Sequence, residues 1–400
     1  MTRHRIAATA ALLAVLLPLP FVAAGTAAAV PAAEAKATSA TATAVPAIDV
    51  PATGAELPAP SGRFAVGRED LHLVDRSRTD PWAHSGPREL MVTMRYPARR
   101  GTGGSPAPYL SAEEARLILV DQGLEGAVPA ETLAATRSHA RPGARPVPGK
   151  YPLIVLSPGF TVPSVTLTAL AEDLASRGYV VAAVDHAYES SAKAFPGGRI
   201  LTCLACGAVG GEGGREAVTA VRARDVGFLL DRLTDRRPAW RHAGLVDRRR
   251  IAMAGHSIGG ASAVTAMAAD PRIRAGVDMD GGLAEPHPPG GLGGRPFLLL
   301  GAATTVPGFP GGWDGQWPLF DGWKRWITVE GTDHFGATDF PAVADHVGLP
   351  RPDAPLPGNR AIELTRRYVG AFFDQHLRGT PRPLLDGPSA DAPEVRFHHL

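Results

Sequence analysis

Apolar positions follow two rhythms along the chain. Leu90, Val92, Met94 and Tyr96 alternate with polar neighbours, the period of a half-buried strand. From Tyr151 onward, short, largely apolar runs appear at 152–156, 179–184, 251–254, 274–279, 297–300 and 326–329. Each is too short for a helix and reads as a strand buried on both faces. Between them the spacing changes to three or four residues: Leu167, Leu170 and Leu174 mark one helix, and Val218, Val221, Val226, Leu229 and Leu233 a longer one. A last helix carries Ile362, Val369, Phe372, Phe373 and Leu377. A short helical piece near 112–119 lies inside a Gly/Pro-rich excursion over 99–149. Strands alternating with helices predict an α/β fold: a doubly wound, mostly parallel sheet with helices on both faces. Neither an internal repeat nor a second core interrupts the pattern, which predicts one catalytic domain over 63–400.

The N-terminal end breaks with this rhythm. Arg3, His4 and Arg5 precede an apolar run to Ala24 and small residues to Ala29, the pattern of a cleaved secretory signal over 1–29. Residues 30–62 are rich in Ala, Pro and Thr, with too little apolar mass to repay ordering, so they read as a disordered linker, with order beginning near Phe64. The mature protein is expected outside the cell.

Charge narrows the partners. Lys and Arg number 41 against 39 Asp and Glu, a formal net charge of +2, so no excess field attracts nucleic acid. Oligomeric state is not legible. The two cysteines, Cys203 and Cys206, form a Cys-x-x-Cys unit; outside a reducing cytosol a local disulfide is the simpler expectation, while a redox centre would need a thioredoxin-like surround. No cluster has convincing metal-ligand spacing, and neither metal nor cofactor is expected. Phe309, Trp313, Trp317, Phe320 and Trp323 crowd one stretch and read equally as a lipid-facing rim or as core.

The strongest chemical signal is Gly255-His256-Ser257-Ile258-Gly259, set between a buried strand and an Ala-rich helix. A Gly-x-Ser-x-Gly elbow needs that context: the serine sits on a sharp turn, and the glycines let strand and helix close around it. Ser257 is therefore the candidate nucleophile, and His256 is expected to be packed or hydrogen-bonded rather than basic. A serine hydroxyl needs a base, here His334, directly after the strand at 326–329. Of Asp278, Asp280 and the more remote Asp314, Asp280 is chosen as the acid, because it lies at the C-terminal edge of its strand, where ligands bind in such sheets. Two backbone amides should receive the developing oxyanion: that of Ile258, after the nucleophile, and that of Phe160, where the chain leaves the strand at 152–156.

These residues resemble the platelet-activating-factor acetylhydrolase type II branch of the α/β-hydrolases, with secreted bacterial lipases and cutinase-like polyester hydrolases as neighbours. The resemblance runs from about Val66 to the C-terminus. It is carried by Leu71-His-Leu-Val-Asp75, Leu156-Ser-Pro-Gly-Phe160, the stretch from Leu174 to His186, Gly255-His-Ser-Ile-Gly-Gly260, Gly276-Val-Asp-Met-Asp280 and Ile327-Thr-Val-Glu-Gly331-Thr-Asp-His334. An acid one strand early is a feature of the acetylhydrolase branch. The loop Ser-Pro-Gly-Phe departs from its usual Ser-His-Gly and is closer to the lipases. The resemblance implies the α/β-hydrolase fold and metal-independent hydrolysis of a lipid or short-acyl carboxylic ester, such as 1-alkyl-2-acetylglycerophosphocholine, with transient lipid-surface contact. A cutinase-like polyester hydrolase is the alternative. A non-catalytic binding module on the same scaffold would be expected to lack part of this machinery.

Overall fold

The computed structural model describes residues 50–209, 214–283, 291–309 and 312–399. The expected signal peptide and residues 30–49 of the expected linker lie outside them. In chain order the strands are β1 (Ala65–Thr79), β2 (Pro87–Ala98), β3 (Arg141–Pro142), β4 (Tyr151–Ser157), β5 (Val180–His186), β6 (Lys193–Phe195), β7 (Arg199–Leu201), β8 (Val246–His256), β9 (Ile273–Met279), β10 (Phe297–Gly301), β11 (Lys324–Val329) and β12 (Val395–His398). Ten of them form one sheet in the order β12-β11-β10-β9-β8-β4-β5-β2-β1-β3. The six central strands from β11 to β5 run parallel, and β1, β2 and β12 join by antiparallel pairing. Together with the helices below, this is the α/β-hydrolase fold.

The helices are α1 (Ala112–Asp121), α2 (Ala130–Ala134), α3 (Thr168–Ser176), α4 (Cys206–Val209), α5 (Gly214–Thr234), α6 (Ile258–Ala269), α7 (Phe340–His346) and α8 (Gly358–Arg378). Side chains alternate across a strand, so each buried strand feeds both layers. Leu153 and Val155 of β4, with Ile251 and Met253 of β8, pack against Val226, Leu229 and Leu233 of α5 and Met267 of α6. Their neighbours Ile154, Leu156, Ala252 and Ala254 pack instead with Leu170 and Leu174 of α3 and Tyr368, Phe372 and Phe373 of α8. Largely apolar runs are the consequence of this double coverage. Among the described residues, no helix is long and apolar enough to cross a membrane.

Order begins earlier than the composition suggested. Leu57 is buried in a small cluster with Tyr109, Leu110 and Ala115. Arg366 donates to the carbonyls of Pro58 and Ala59, and Ser61 N–H donates to Asp173 at 2.8 Å. Residues 50–62 are thus not disordered linker; lacking a core of their own, they borrow one and take side-chain partners from α3 and α8. The aromatic stretch also resolves: Trp313 and Phe320 are buried, Trp317 and Trp323 pack onto the core, and Phe309 is exposed.

Cys203 and Cys206 are joined. So short a loop removes little chain entropy, so reduction should cost about 1–2 kcal/mol of stability and leave turnover unchanged. Melting curves and ester hydrolysis with and without reductant check both halves.

Asp339, just before α7, accepts from the N–H groups of Thr168 and Ala169 and from Tyr109 Oη. Burial pushes its carboxyl up to about 7, against the pull of those donors. An unfolded aspartate ionises near about 4. Between those values the folded chain keeps a proton that the unfolded chain has released, so this group weakens the fold as pH rises from about 4 to 7. Asp339→Asn mimics the protonated form. Denaturant titrations should show the variant gaining on wild type by about 4 kcal/mol across that window; a constant difference would mean the carboxyl does not titrate there.

Candidate active site

Three strand ends at the C-terminal edge of the sheet deliver the three side chains. β8 ends at His256, and the chain turns through Ser257, with φ 54° and ψ −129°, into α6. A non-glycine residue in this region is strained and persists only where its surroundings fix it. The flanking glycines are required by contact: a Cβ on Gly255 would lie 2.1 Å from the Gly259 carbonyl carbon, and one on Gly259 2.2 Å from the Ser157 oxygen.

β9 delivers Asp280, also at positive φ, 59°. One carboxylate oxygen accepts from Ala302 N–H at 2.7 Å and Thr305 Oγ1 at 2.6 Å, leaving the other 2.6 Å from His334 Nδ1. Burial acts to raise the Asp280 carboxyl, but the His334 contact and those two donors hold it below the usual carboxylate range. His334 follows β11, and its Nε2 lies 2.9 Å from Ser257 Oγ. The imidazole is 45% exposed, so the relay opens to solvent at the histidine while its acid end is covered.

His256 is buried and lies against His334. Its Nε2 donates to the His334 carbonyl at 2.6 Å, and its ring packs 4.8 Å from the His334 ring. Burial, with His334 beside it, depresses its basicity to about 3, so it stays neutral. Asp278 is fully buried beneath the elbow and accepts from Gly281 N–H at 2.8 Å; burial raises its carboxyl well above the usual range. Asp314 accepts from Gly308 N–H in the loop beyond β10. Ile258 is the first residue of α6, where an N–H has no intrahelical acceptor. Phe160 lies in the loop after β4, which packs against the start of α6 through Ser157 and Pro158.

Among the described residues, one group has the spacing of a cation site: His186, Glu189 and Asp225, whose ligating atoms lie within 4.8 Å of one another. Their carboxylates are already paired with Arg78, Arg88 and Arg222. Three guanidinium charges leave that donor set unsuited to a metal.

Residues 126–196 match the family model described as platelet-activating factor acetylhydrolase, isoform II. A probable 1-alkyl-2-acetylglycerophosphocholine esterase from Arthroderma benhamiae is 30% identical over 377 residues, covering 85% of this chain and 93% of that one. The chain belongs to the platelet-activating-factor acetylhydrolase family. It is a carboxylic-ester hydrolase. Among more distant acetylhydrolases, that of Bos taurus is 28% identical over 62% of this chain and 60% of its own. Among solved structures, a ferulic acid esterase from Streptomyces cinnamoneus superposes with a TM-score of 0.76 and 46% identity, covering 86% of this chain and 99% of that one.

Within this esterase, sequence reasoning missed Thr305 and the Ala302 amide, which hold the far oxygen of Asp280. A lone threonine in a Gly/Pro-rich loop carries no signal of such a role. It also gave His256 no partner; adjacency to Ser257 placed it near the site, but only the fold brings the His334 carbonyl to its ring.

Proposed function

We propose that the chain hydrolyses its ester through an acyl-enzyme formed on Ser257. The observation that carries this is the unbroken relay from Asp280 through His334 to Ser257, with contacts of 2.6 and 2.9 Å, on a strained strand-to-helix turn. His334 Nε2 takes the Ser257 proton as Oγ attacks the carbonyl carbon. Asp280 holds the imidazolium that results, and the Phe160 and Ile258 amides receive the oxyanion. His334 then returns the proton to the departing alcohol, and water repeats the sequence on the acyl-enzyme. No step calls for a metal or cofactor.

The substrate is a lipid or short-acyl ester, by analogy with the acetylglycerophosphocholine esterase similar over nearly its whole length. Phe309, exposed four residues beyond Thr305, suits contact with a lipid surface. A second reading, a hydroxycinnamoyl ester, is favoured by the 46% identity to the ferulic acid esterase. Rates on acetyl, butyryl, octanoyl and feruloyl esters of one alcohol, beside a 2-acetyl phospholipid, separate the two. The lipid reading requires the phospholipid and short acyl esters to be turned over best; preference for the feruloyl ester installs the second. Export is part of the proposal, supported by the leader-like residues 1–29 and the disulfide, as is a single catalytic domain.

A further inference from the structure

Beneath the loop that carries Phe160 lies a cluster of charged side chains that the proposed reaction does not use. Arg222 of α5 is 1% exposed. Its Nε donates to Glu189 Oε2 at 2.7 Å, and its Nη1 donates to Ser157 Oγ at 3.1 Å and to the Pro158 carbonyl. Glu189 Oε1 accepts from Arg88 Nη2 at 2.8 Å and from Trp82 Nε1 at 2.9 Å. Arg88 in turn reaches Asp225 at 2.7 Å and Asp80 at 3.0 Å. Ser157 Oγ also meets His186 Nε2 at 3.2 Å, and His186 Nδ1 meets Asp225 at 2.8 Å.

The same residues grip the loop on its far side. Thr161 N–H donates to the Glu189 carbonyl at 3.0 Å, and Ser191 N–H donates to the Thr161 carbonyl at 2.7 Å. Thr161 is held at φ 66°, a left-handed conformation that a β-branched residue seldom adopts without constraint. The peptide before Gly159 is therefore held by a guanidinium, and the one after Phe160 by the Glu189 main chain. Between them, among the described residues, the Phe160 N–H has no protein acceptor.

Stability alone does not account for this cluster. Buried ion pairs often add nothing over apolar side chains of similar volume, because desolvation offsets their attraction. What they do supply is direction. An oxyanion donor works only if it is aimed before the charge develops, and a displacement of about 1 Å can cost about 10²-fold in rate.

We propose that Arg222 and Glu189 are positioning residues that set the aim of the Phe160 amide, making the buried ion cluster a rigid mount for one side of the oxyanion hole. This rests on reading Ser257 as nucleophile and the Phe160 amide as an oxyanion donor. Arg222 acts through the Pro158 carbonyl and Ser157 Oγ, and Glu189 acts through Arg222 and its own carbonyl; neither touches the ester.

The test uses the full chain with Arg222→Lys, which keeps the charge but loses the fork, and with Glu189→Gln, which keeps the shape and so serves if the first variant does not fold. Four quantities are read beside the melting temperature: kcat and KM on a nitrophenyl ester, the affinity of a trifluoromethyl ketone, and that of the matching methyl ketone. The fluorinated ketone takes Ser257 Oγ onto its carbonyl carbon, passing the serine proton to His334 and leaving an oxyanion in the hole; its methyl counterpart binds largely as the intact ketone. Arg222→Lys should lower kcat by about 10²-fold with KM unchanged, and lower the melting temperature, because it leaves buried partners unpaired. Affinity for the trifluoromethyl ketone should fall by the same factor and that for the methyl ketone should hold; Glu189→Gln should show the same pattern more weakly. Folded variants with wild-type kcat, or equal losses for both ketones, overturn the proposal. Failure of the underlying reading is distinguishable: a fluorophosphonate would then leave Ser257 of the wild-type chain unmodified, whatever Arg222 does.

Discussion

Ser257→Ala should abolish ester hydrolysis, with a loss in kcat on the order of 10⁶-fold, the scale seen when a serine nucleophile is removed from an otherwise intact site. The elbow should survive the change. Alanine removes one oxygen and leaves the turn's contacts, with Gly255 against Gly259 and Gly259 against Ser157, as they are. The variant should melt with wild type and lose fluorophosphonate labelling altogether. Labelling that persists on another serine would remove Ser257 from the proposed role.

Asp280→Asn should be nearly as damaging, costing about 10⁴-fold in kcat. The carboxylate keeps His334 Nδ1 protonated, so that Nε2 can accept from Ser257, and it stabilises the imidazolium that follows. An asparagine carboxamide can turn its NH2 toward Nδ1 and favour the wrong tautomer. Asp278→Asn should leave activity near wild type, because burial disfavours the ionised carboxylate there and an amide keeps the acceptor for Gly281 N–H. Asp314→Asn should do as little, its bond being to a loop amide. A pH–rate profile for all three separates them; Asp314 as the crippling position would move the acid one strand along.

The parallel centre of the sheet was legible because burial on both faces leaves a trace that needs no partner to interpret: each central run from 152 to 329 matches a strand whose ends fall within two residues of it, except that β8 begins five residues before its run. β1 was not legible. Glu69, Asp70, His72, Asp75, Arg76 and Arg78 punctuate it, and what makes it a strand is pairing with β2 from Ala65 to Thr79 rather than any pattern of its own. The order of 50–62 was hidden for the same reason, since its burial is supplied by α1, α3 and α8. In the candidate site, Ser257, His334 and Asp280 each sit just past a readable strand, so position along the sheet was enough to choose residues that the fold brings within hydrogen-bond reach. The ion cluster gave no sign: Arg88 and Asp225 stand 137 residues apart, and only strand order places them together.

That cluster contains a second serine–histidine–aspartate relay, Ser157 to His186 to Asp225, wired through the same ring nitrogens in the same order as the one at the surface. A three-residue geometric template would match both. Two differences make the inner one chemically silent. No ester can reach Ser157, which is fully buried, and its oxygen already accepts a hydrogen bond from a guanidinium, which ties up a lone pair that attack would need. Nucleophilicity in this fold is thus decided less by the relay itself than by who else holds the serine oxygen, and a reliable template has to score the empty side of the hydroxyl along with the occupied one.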